Sequence, residues 1–474
     1  MKNNSFQNAL KGFFIYGSTQ IILSLISLVK TKFVAVYIGL EGVGIHSILN
    51  SNVNLFSSLS GLGISIASIT YFVNSRNYKL LFKSLLTVVT LTCLICVFFI
   101  IIFSKSLSTL LFNNTSFRDD ILIVSSIIFF SNYTNLKKSL IQSLGQRRIL
   151  SKSSIISSII GLLTLFVYAK MGADGIAFAL TLSSFITFLV FFYTKPILFG
   201  LNFKSLKNSF LENKLIIRLG IALVFSGFYF QMLSNVLNVL IVKNGSISDV
   251  GEFQASLGLT NQAIGLIFAA LALDYLPRLS NVINNKIKLI REVRNQIHLV
   301  LIFIGPLLLL MTIFIEPIIK LLLTEEFLKI SKLSILLICS MLFKSVQWCF
   351  GYILIAEGKS KKYFIVEILG ITIFFLIVYL AYLRIGILGI GYGYIYGYLF
   401  YLVYYILIFL NLSKKIFNKE ILIHLILIII CMSLVLFSDT KVNLYAHSIY
   451  LKMIALIFII VLSFIKLKRK INIS

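Results

Sequence analysis

Long apolar segments recur along the whole chain, and they limit the folds open to it more than any other feature. Each is close to or above the ~20 residues that an α-helix needs to cross a bilayer. Fourteen can be marked, at approximately 13–38, 43–73, 85–103, 121–145, 153–169, 174–194, 215–243, 250–276, 297–320, 331–356, 363–383, 387–410, 421–437 and 449–466. With 59% hydrophobic and only 12% charged residues, this surface must face lipid or other spanning helices. The pattern therefore predicts an all-α membrane protein with about 14 transmembrane helices.

The basic residues between the segments predict the orientation in the membrane. Of the 43 Lys and Arg residues, 30 lie in alternate segments that include both ends of the chain, 12 lie in the others, and Lys344 lies within a span. Because Lys and Arg accumulate on the cytoplasmic side, we expect both termini in the cytoplasm. The same asymmetry accounts for the net charge of +27, so nucleic acid is not an expected partner. The first apolar stretch lacks a cleavage site and is interpreted as a permanent span.

Three short patterns occur twice, in the same order and at offsets of 207, 213 and 214 residues. They are 42–44 with 249–251, 144–148 with 357–361, and 172–176 with 386–390. The repeating unit holds six spans, an even number, so both copies cross the membrane in the same direction. This parallel repeat is typical of transporters, which bind substrate between the two halves. We predict an N-terminal lobe of helices 1–6 (1–208), a C-terminal lobe of helices 7–12 (209–412), and extra helices 13–14 with a basic tail (413–474).

Polar residues within the spans are costly and therefore candidates for function. They fall on single helical faces, because their spacing is three or four residues. The stripes are His46, Asn50 and Asn54 in the second span; Asn135, Ser139 and Gln142 in the fourth; Gln231, Asn235 and Asn238 in the seventh; Gln254, Gly258, Asn261 and Gly265 in the eighth; and Ser340, Lys344, Gln347 and Gly351 in the tenth. Their recurrence in repeat-equivalent helices favours a hydrated central cavity, whereas the simpler interpretation is that each amide joins two helices.

Lysines near or within the spans predict a site for an anion. Lys344 lies ~20 Å from either end of its span, too deep for easy snorkelling, so it either attracts an anion such as a pyrophosphate or pairs with a carboxylate. Lys30 and Lys32 are cavity and gating candidates if the first helix continues to Ile38, and ordinary flanking charges if it stops at Val29.

Acidic residues and enzyme motifs are scarce. Asp274, at the end of the eighth span, is a candidate coupling or gating residue together with Arg278, although an ion pair between the two is the simpler interpretation. Apart from Asp274 we predict no carboxylate in the cavity. Cys93 and Cys96 lie in apolar sequence without His or carboxylate companions, which favours packing over a metal site. No phosphate-binding glycine loop or zinc motif is present, so no cofactor, metal or ATP hydrolysis is expected.

Several of these patches resemble the O-antigen translocases, flippases for lipid-linked oligosaccharides in the multidrug/oligosaccharidyl-lipid/polysaccharide exporter superfamily. The matching stretches are 30–39 followed by 41–44, 144–148, and the Tyr275–Ser280 motif after the eighth span. The chain departs from the family where a proline is usual and Leu40 or Glu41 stands here.

The resemblance implies two six-helix lobes in a V-shaped exporter fold, with a cationic cavity that opens alternately to each side. The implied substrate is an undecaprenyl-pyrophosphate-linked sugar repeat unit, moved to the periplasmic leaflet of the bacterial inner membrane by a monomer, with membrane lipids and other polysaccharide-assembly proteins as partners. The extra helices 13–14 resemble those of lipid II flippases.

Three other functions compete with a flippase. A cation-coupled drug antiporter of the same fold would carry buried carboxylates. A membrane-bound O-antigen polymerase or glycosyltransferase needs a large outer loop, and the longest, 104–120, offers only Asp119 and Asp120. A scaffold would not need a polar interior.

Overall fold

The computed structural model describes residues 2–75, 77–194, 213–357, 360–438 and 445–471. Within these ranges the secondary structure is helical, and each of the fourteen predicted segments is occupied by helix. Backbone polar groups must be satisfied inside the bilayer, and an α-helix does this within one segment. The predicted all-α class follows from that constraint.

The first half of the chain forms helices α1 to α9. Their bounds are Lys2–Gly61 (α1), Ile64–Asn74 (α2), Tyr78–Phe112 (α3), Arg118–Ser125 (α4), Ile127–Ser143 (α5), Arg147–Gly161 (α6), Leu165–Met171 (α7), Ile176–Thr194 (α8) and Lys214–Asn244 (α9). Short 3₁₀ turns at Leu162–Thr164 and Gly172–Gly175 join α6 to α7 and α7 to α8.

The second half forms helices α10 to α18. Their bounds are Ile247–Val282 (α10), Lys286–Ile313 (α11), Ile315–Leu322 (α12), Ser331–Ala356 (α13), Ser360–Ile385 (α14), Ile387–Ile408 (α15), Leu410–Ile416 (α16), Lys419–Ser438 (α17) and Tyr445–Ile471 (α18). A 3₁₀ turn at Glu325–Ile330 precedes α13.

The helices pack into two compact units, and the division falls inside α10. The first unit holds Met1–Gln254 with Leu322–Thr324, and the second holds Ala255–Leu321 with Glu325–Ser474. In the first unit α5 packs against α2 and α8, α6 against α1 and α8, and α9 against α2. In the second unit α15 packs against α13 and α14, and α17 and α18 pack against α11. The predicted domain boundaries at 208 and 412 rest on the sequence repeat and stay a prediction.

Length and composition identify the membrane-crossing helices among the described residues. Seven stretches are long and apolar enough to cross a membrane, and the bent pair formed by α16 and α17 is an eighth. Two of the seven, Thr19–Gly61 and Arg148–Thr194, each contain two predicted segments joined by bends. The chain is a multi-pass membrane protein.

Glycines allow the long apolar stretches to bend where one span passes to the next. In α1 the helix kinks at Gly39, which has φ 62° and ψ −169°. The second predicted segment, expected to run unbroken to residue 73, is interrupted at Leu62 and Gly63, both with positive φ. Gly63 lies against α9, where an added Cβ would stand 2.1 Å from the carbonyl oxygen of Gly220. Since only glycine fits both the backbone angles and this contact, the break is fixed by packing between helices.

Candidate functional site

Lys30 lies on α1, and the helix continues past Val29 to the kink at Gly39. This is the alternative in which Lys30 is a cavity candidate and not a flanking charge. It is half-buried in the first unit, and its Nζ donates a hydrogen bond of 3.1 Å to the hydroxyl of Ser183 on α8. No carboxylate among the described residues lies within ion-pair distance of this ammonium group. His46 lies within electrostatic range of Lys30 and 6.5 Å from the Tyr168 ring, measured between centroids. Lys30 therefore has a neutral hydrogen-bond partner, and its predicted role in binding an anion stays a prediction.

Lys32 has a different environment from Lys30. Its Nζ donates to the backbone carbonyl of Leu323, in the short segment Leu322–Thr324 that belongs to the first unit. This contact ties α1 to the segment Leu322–Thr324 within the first unit. The suggested gating role of Lys32 stays a prediction.

Amide side chains form a small network between α9, α10 and the second half of α1. Asn235 donates to the backbone carbonyls of Ser51 (3.3 Å) and Gln231 (3.1 Å). Gln254 donates to the side-chain oxygen of Asn238 at 3.0 Å. Asn235 Oδ1 and Asn238 Nδ2 are both buried without a partner. An unsatisfied buried polar atom is costly, so these two can recruit water or a polar substrate group.

The predicted polar stripe of the second span, which lies in the second half of α1, has one consistent orientation. Asn50 and Asn54 are exposed and His46 is half-buried, whereas Ile48, Leu49 and Val53 between them are buried. The predicted polar face is therefore the one that the other helices of the first unit leave uncovered. Gln231 is half-buried one turn before Asn235.

In the second unit, α10 carries an open polar stripe. Gly258, Asn261 and Gly265 are exposed, while Leu259, Thr260 and Ile264 are buried. A Cβ added at Gly258 or Gly265 would meet nothing within 4 Å. A ligand can approach the α10 backbone closely along this stripe.

Lys344 lies on α13, and its Nζ is 5.4 Å from the centroid of the Tyr398 ring on α15. Among the described residues it has no carboxylate partner, so the ion pair considered from the sequence is not found there. Ser340 and Gln347, on the same face, are buried. This stripe therefore faces α15 inside the second unit, with Lys344 held over an aromatic ring.

The Tyr275–Ser280 motif is anchored at two points. The hydroxyl of Tyr275, fully buried, donates to the carbonyl of Cys349 at 2.9 Å. Arg278 forms an ion pair of 2.6 Å with Glu292 and a hydrogen bond of 3.0 Å with Gln296, both on α11. The side chain of Asp274 lies outside the described residues, so its pairing with Arg278 stays a prediction.

One carboxylate that the sequence analysis did not single out lies within a predicted span. Glu367 lies in α14, is half-buried, and accepts hydrogen bonds from Tyr401 (2.8 Å) and Tyr405 (2.5 Å) on α15. Its position within the 363–383 segment was the available signal. A pattern of polar stripes does not indicate it, because Glu367 is isolated among apolar neighbours in the sequence.

Among the described residues, no group of three or more His, Cys, Asp or Glu side chains is arranged to hold a metal ion. All five cysteines are free thiols. Among the described residues of the predicted site, Lys30 and Lys344 thus have a hydroxyl and an aromatic ring as neighbours, and the other predicted members are mostly amides.

Comparison with known proteins identifies the family of the chain. A family model described as polysaccharide biosynthesis protein matches residues 19–332. No curated protein matches the chain.

Solved structures of transporters share the fold. The lipid II flippase MurJ, in an inward closed conformation, aligns with a TM-score of 0.73 at 15% identity, over 98% of this chain and 100% of its own. An inward-facing multidrug resistance MATE transporter of the MOP superfamily aligns with a TM-score of 0.67 at 15% identity, over 84% and 95%. The Vibrio cholerae MATE transporter VcmN aligns with a TM-score of 0.54 at 15% identity, over 88% and 100%. At these identities the likeness shows the fold alone, and it confirms the predicted exporter fold class.

Proposed function

We propose, because this chain belongs to the polysaccharide biosynthesis protein family, that it is a flippase for an undecaprenyl-pyrophosphate-linked oligosaccharide repeat unit. Its fold is that of the MOP-superfamily transporters. The substrate would move from the cytoplasmic to the periplasmic leaflet of the bacterial inner membrane by alternating access through a central cationic cavity. Both termini would lie in the cytoplasm, and the chain would act as a monomer with membrane lipids around it and other polysaccharide-assembly proteins as partners.

The observation that carries the proposal is the state of the two lysines. Lys30 in the first unit and Lys344 in the second each have a neutral partner, a hydroxyl and an aromatic ring. An ammonium group inside a membrane protein is costly unless something compensates its charge during function. A diphosphate supplies two or more negative charges and would be attracted to an ammonium group of this kind.

The amides support recognition of the sugar. Asn50, Asn54 and Asn261 are exposed, and Asn235 and Asn238 each keep an unsatisfied polar atom. Amide groups donate and accept at once, which suits sugar hydroxyls. The glycine positions 258 and 265 leave room for a bulky ring beside α10. The prenyl tail would remain in the lipid.

A cation-coupled drug antiporter is the second candidate, and Glu367 favours it. Such exporters need a carboxylate within the membrane, and Glu367 provides one. An antiporter would lower the susceptibility of a drug-sensitised strain to cationic drugs without any glycan gene cluster. A flippase would not change that susceptibility.

The test is complementation with Lys344→Ala in a flippase-deficient strain that carries the cognate glycan gene cluster. We expect surface glycan to fall at least about tenfold, because one charge contact to a phosphate contributes more than 1.4 kcal/mol. Lipid-linked units should accumulate in the cytoplasmic leaflet. Lys344→Arg keeps the charge and should retain part of the activity.

The matched control is Lys243→Ala, which removes an exposed charge at the end of α9 and should leave surface glycan unchanged. Membrane levels of each variant are measured alongside. Unchanged surface glycan in Lys344→Ala would return this residue to a structural role, and failure of the wild-type protein to complement would reject the flippase assignment.

A further inference from the structure

Glu367 is placed in a site built from two helices. It lies on the second turn of α14, ~10 Å from the first residue of that helix. Both carboxylate oxygens accept a phenol hydroxyl, Oε2 from Tyr401 at 2.8 Å and Oε1 from Tyr405 at 2.5 Å. Tyr405 is fully buried and Tyr401 nearly so. The tyrosines are therefore committed to this carboxylate and not to water.

One glycine makes the arrangement possible. A Cβ added to Gly370, one turn after Glu367, would stand 2.1 Å from the Tyr401 ring, so only glycine lets that ring lie across α14. On α13, Gly351 also faces Tyr405, but an added Cβ would lie 3.6 Å from the Tyr405 hydroxyl oxygen, an ordinary van der Waals contact. The site is thus shaped on the α14 side by the absence of a side chain.

No cation neutralises Glu367 among the described residues. The titratable groups that face it are Tyr363 on its own helix and Tyr401, Tyr404 and Tyr405 on α15. From α13 the neighbouring groups are the neutral Gln347 and Gly351. Lys362, one turn before Glu367, is 3.7 Å from Glu357.

Hydrogen-bond geometry allows both charge states of this carboxyl group. The ionised form accepts both phenol hydroxyls, which partly compensates its charge. A protonated carboxyl donates one hydrogen bond and still accepts another, and a phenol oxygen accepts as readily as it donates. Bound Na⁺ would instead need several oxygen lone pairs directed at it, whereas both hydroxyls here direct hydrogens at the carboxylate. The arrangement favours a proton over a metal cation.

We propose that Glu367, Tyr401 and Tyr405 form a proton-binding site near the predicted cytoplasmic end of α14, and that its protonation is coupled to anion binding at Lys344. The coupling half of this proposal rests on the proposed function. The proton enters from cytoplasmic water and adds to one carboxylate oxygen, so the charge at the site changes from −1 to zero.

The route to Lys344 runs along α13. Gln347 and the hydroxyl of Tyr405 both lie within 4 Å of the position of a Cβ on Gly351. Lys344 is two turns, or ~10 Å, deeper on the same face, over Tyr398 of α15. The ionised carboxylate of Glu367 repels an anion that approaches Lys344, and protonation removes this repulsion. Protonation should therefore strengthen diphosphate binding.

The proton site is tested by infrared spectroscopy on the purified full-length protein in phosphatidylethanolamine vesicles, titrated between about pH 4 and pH 9. The wild-type protein should show a protonated-carboxyl band that grows on acidification. Because the other carboxyl groups also protonate in acid, Glu367→Gln should remove one component of that band, and Glu357→Gln, which alters the nearby carboxylate at the end of α13, should keep that component. Tyr401→Phe retains the carboxyl and should shift the band, which provides a second variant if Glu367→Gln does not fold. Identical titrations of wild type and Glu367→Gln would overturn the site.

The coupling is tested with inorganic pyrophosphate as the probe. Because pyrophosphate also loses charge in acid, the two proteins are compared at each pH: Glu367→Gln should bind roughly threefold to tenfold more tightly than wild type at alkaline pH, and the two affinities should converge at acid pH. Equal pH dependence in the two proteins would overturn the coupling while the spectroscopic result for the site remains. If the wild-type protein fails to complement a flippase-deficient strain but its carboxyl band titrates, the proposed function is rejected and the proton site is kept.

Discussion

At the scale of single residues, Lys30 and Lys344 differ from the charged residues that form ion pairs. Arg278 is matched by Glu292 at 2.6 Å and Lys362 by Glu357 at 3.7 Å, and both pairs lie near helix ends. Lys30 and Lys344 lie deeper in their helices and contact a hydroxyl and a ring instead. Charges near these helix ends are thus matched by opposite charges, whereas Lys30 and Lys344 contact neutral groups, which is the arrangement that the proposed anion site requires.

Asp120 gives a pH-dependent prediction at the same scale. It lies at the start of α4, outside the predicted span, and burial raises its pKa, with further increases from the charges of Asp119 and Asp174. A carboxyl whose folded pKa is raised destabilises the folded protein at pH above that value, and the cost disappears as the pH falls through it. We therefore expect Asp120→Asn to raise the thermal unfolding midpoint at neutral pH and to lose this advantage in acid.

The measurement for Asp120→Asn is thermal unfolding of the purified protein in detergent at several pH values. Asp119→Asn, an exposed neighbour on the same turn, is the control and should change the midpoint less. A lower midpoint for Asp120→Asn at neutral pH would mean that attraction to the helix N-terminus, worth about 0.3–1 kcal/mol, exceeds the cost of burial.

At the scale of helices, one contact reproduces the sequence repeat. A Cβ on Gly44 would lie 2.2 Å from the carbonyl oxygen of Ile247, and a Cβ on Gly251 would lie 2.1 Å from that of Leu40. Leu40 and Gly44 correspond to Ile247 and Gly251 at the 207-residue offset. The same two positions contact each other in exchanged roles, as at a two-fold interface. This contact agrees with a parallel repeat about an axis along the membrane normal.

This contact predicts a coupled stability loss. Gly44→Ala and Gly251→Ala should each lower the free energy of unfolding by about 1–3 kcal/mol, because the added methyl group pushes α1 and α10 apart. The double variant should cost less than the sum, since one separation relieves both clashes. Gly227→Ala on α9, where nothing lies within 4 Å, is the control and should be neutral or slightly stabilising. Additive losses would show that the two contacts are independent.

Helices α14 and α15 explain how Glu367 is held. Towards the predicted outer side their backbones approach closely, since Cβ atoms at Gly389 and Gly393 would meet backbone atoms of α14 at 2.1 and 2.6 Å. Small residues at this spacing drive helix association in membranes. Towards the other end Tyr401 and Tyr405 replace the glycines on α15. The close packing at Gly389 and Gly393 fixes the register of α14 and α15, and in this register the tyrosines reach the carboxylate.

At the scale of the whole molecule, the sequence predicts segments and faces better than partners. The apolar segments are all helical, and the exposed stripe of Asn50 and Asn54 follows from a four-residue spacing. The break at Gly63 depends on the carbonyl of Gly220, a contact that no local pattern indicates. The partners of Glu367 are equally non-local, because Tyr401 and Tyr405 follow 34 and 38 residues later on another helix.

The predicted topology is a whole-molecule property that a labelling experiment tests. Asn114→Cys and Arg384→Cys, exposed and predicted outside, should react with a membrane-impermeant thiol reagent in intact cells. Arg148→Cys and Asn281→Cys, exposed and predicted inside, should react only after permeabilisation. The five native cysteines lie in helices within the predicted spans, four of them buried, and should contribute little background. Because each span inverts all that follows it, an error of one helix between Arg148 and Asn281 would leave Asn114 and Arg148 as predicted and would exchange the sides of Asn281 and Arg384. Agreement at all four positions would require an even number of spans between Arg148 and Asn281, as a six-helix repeat demands.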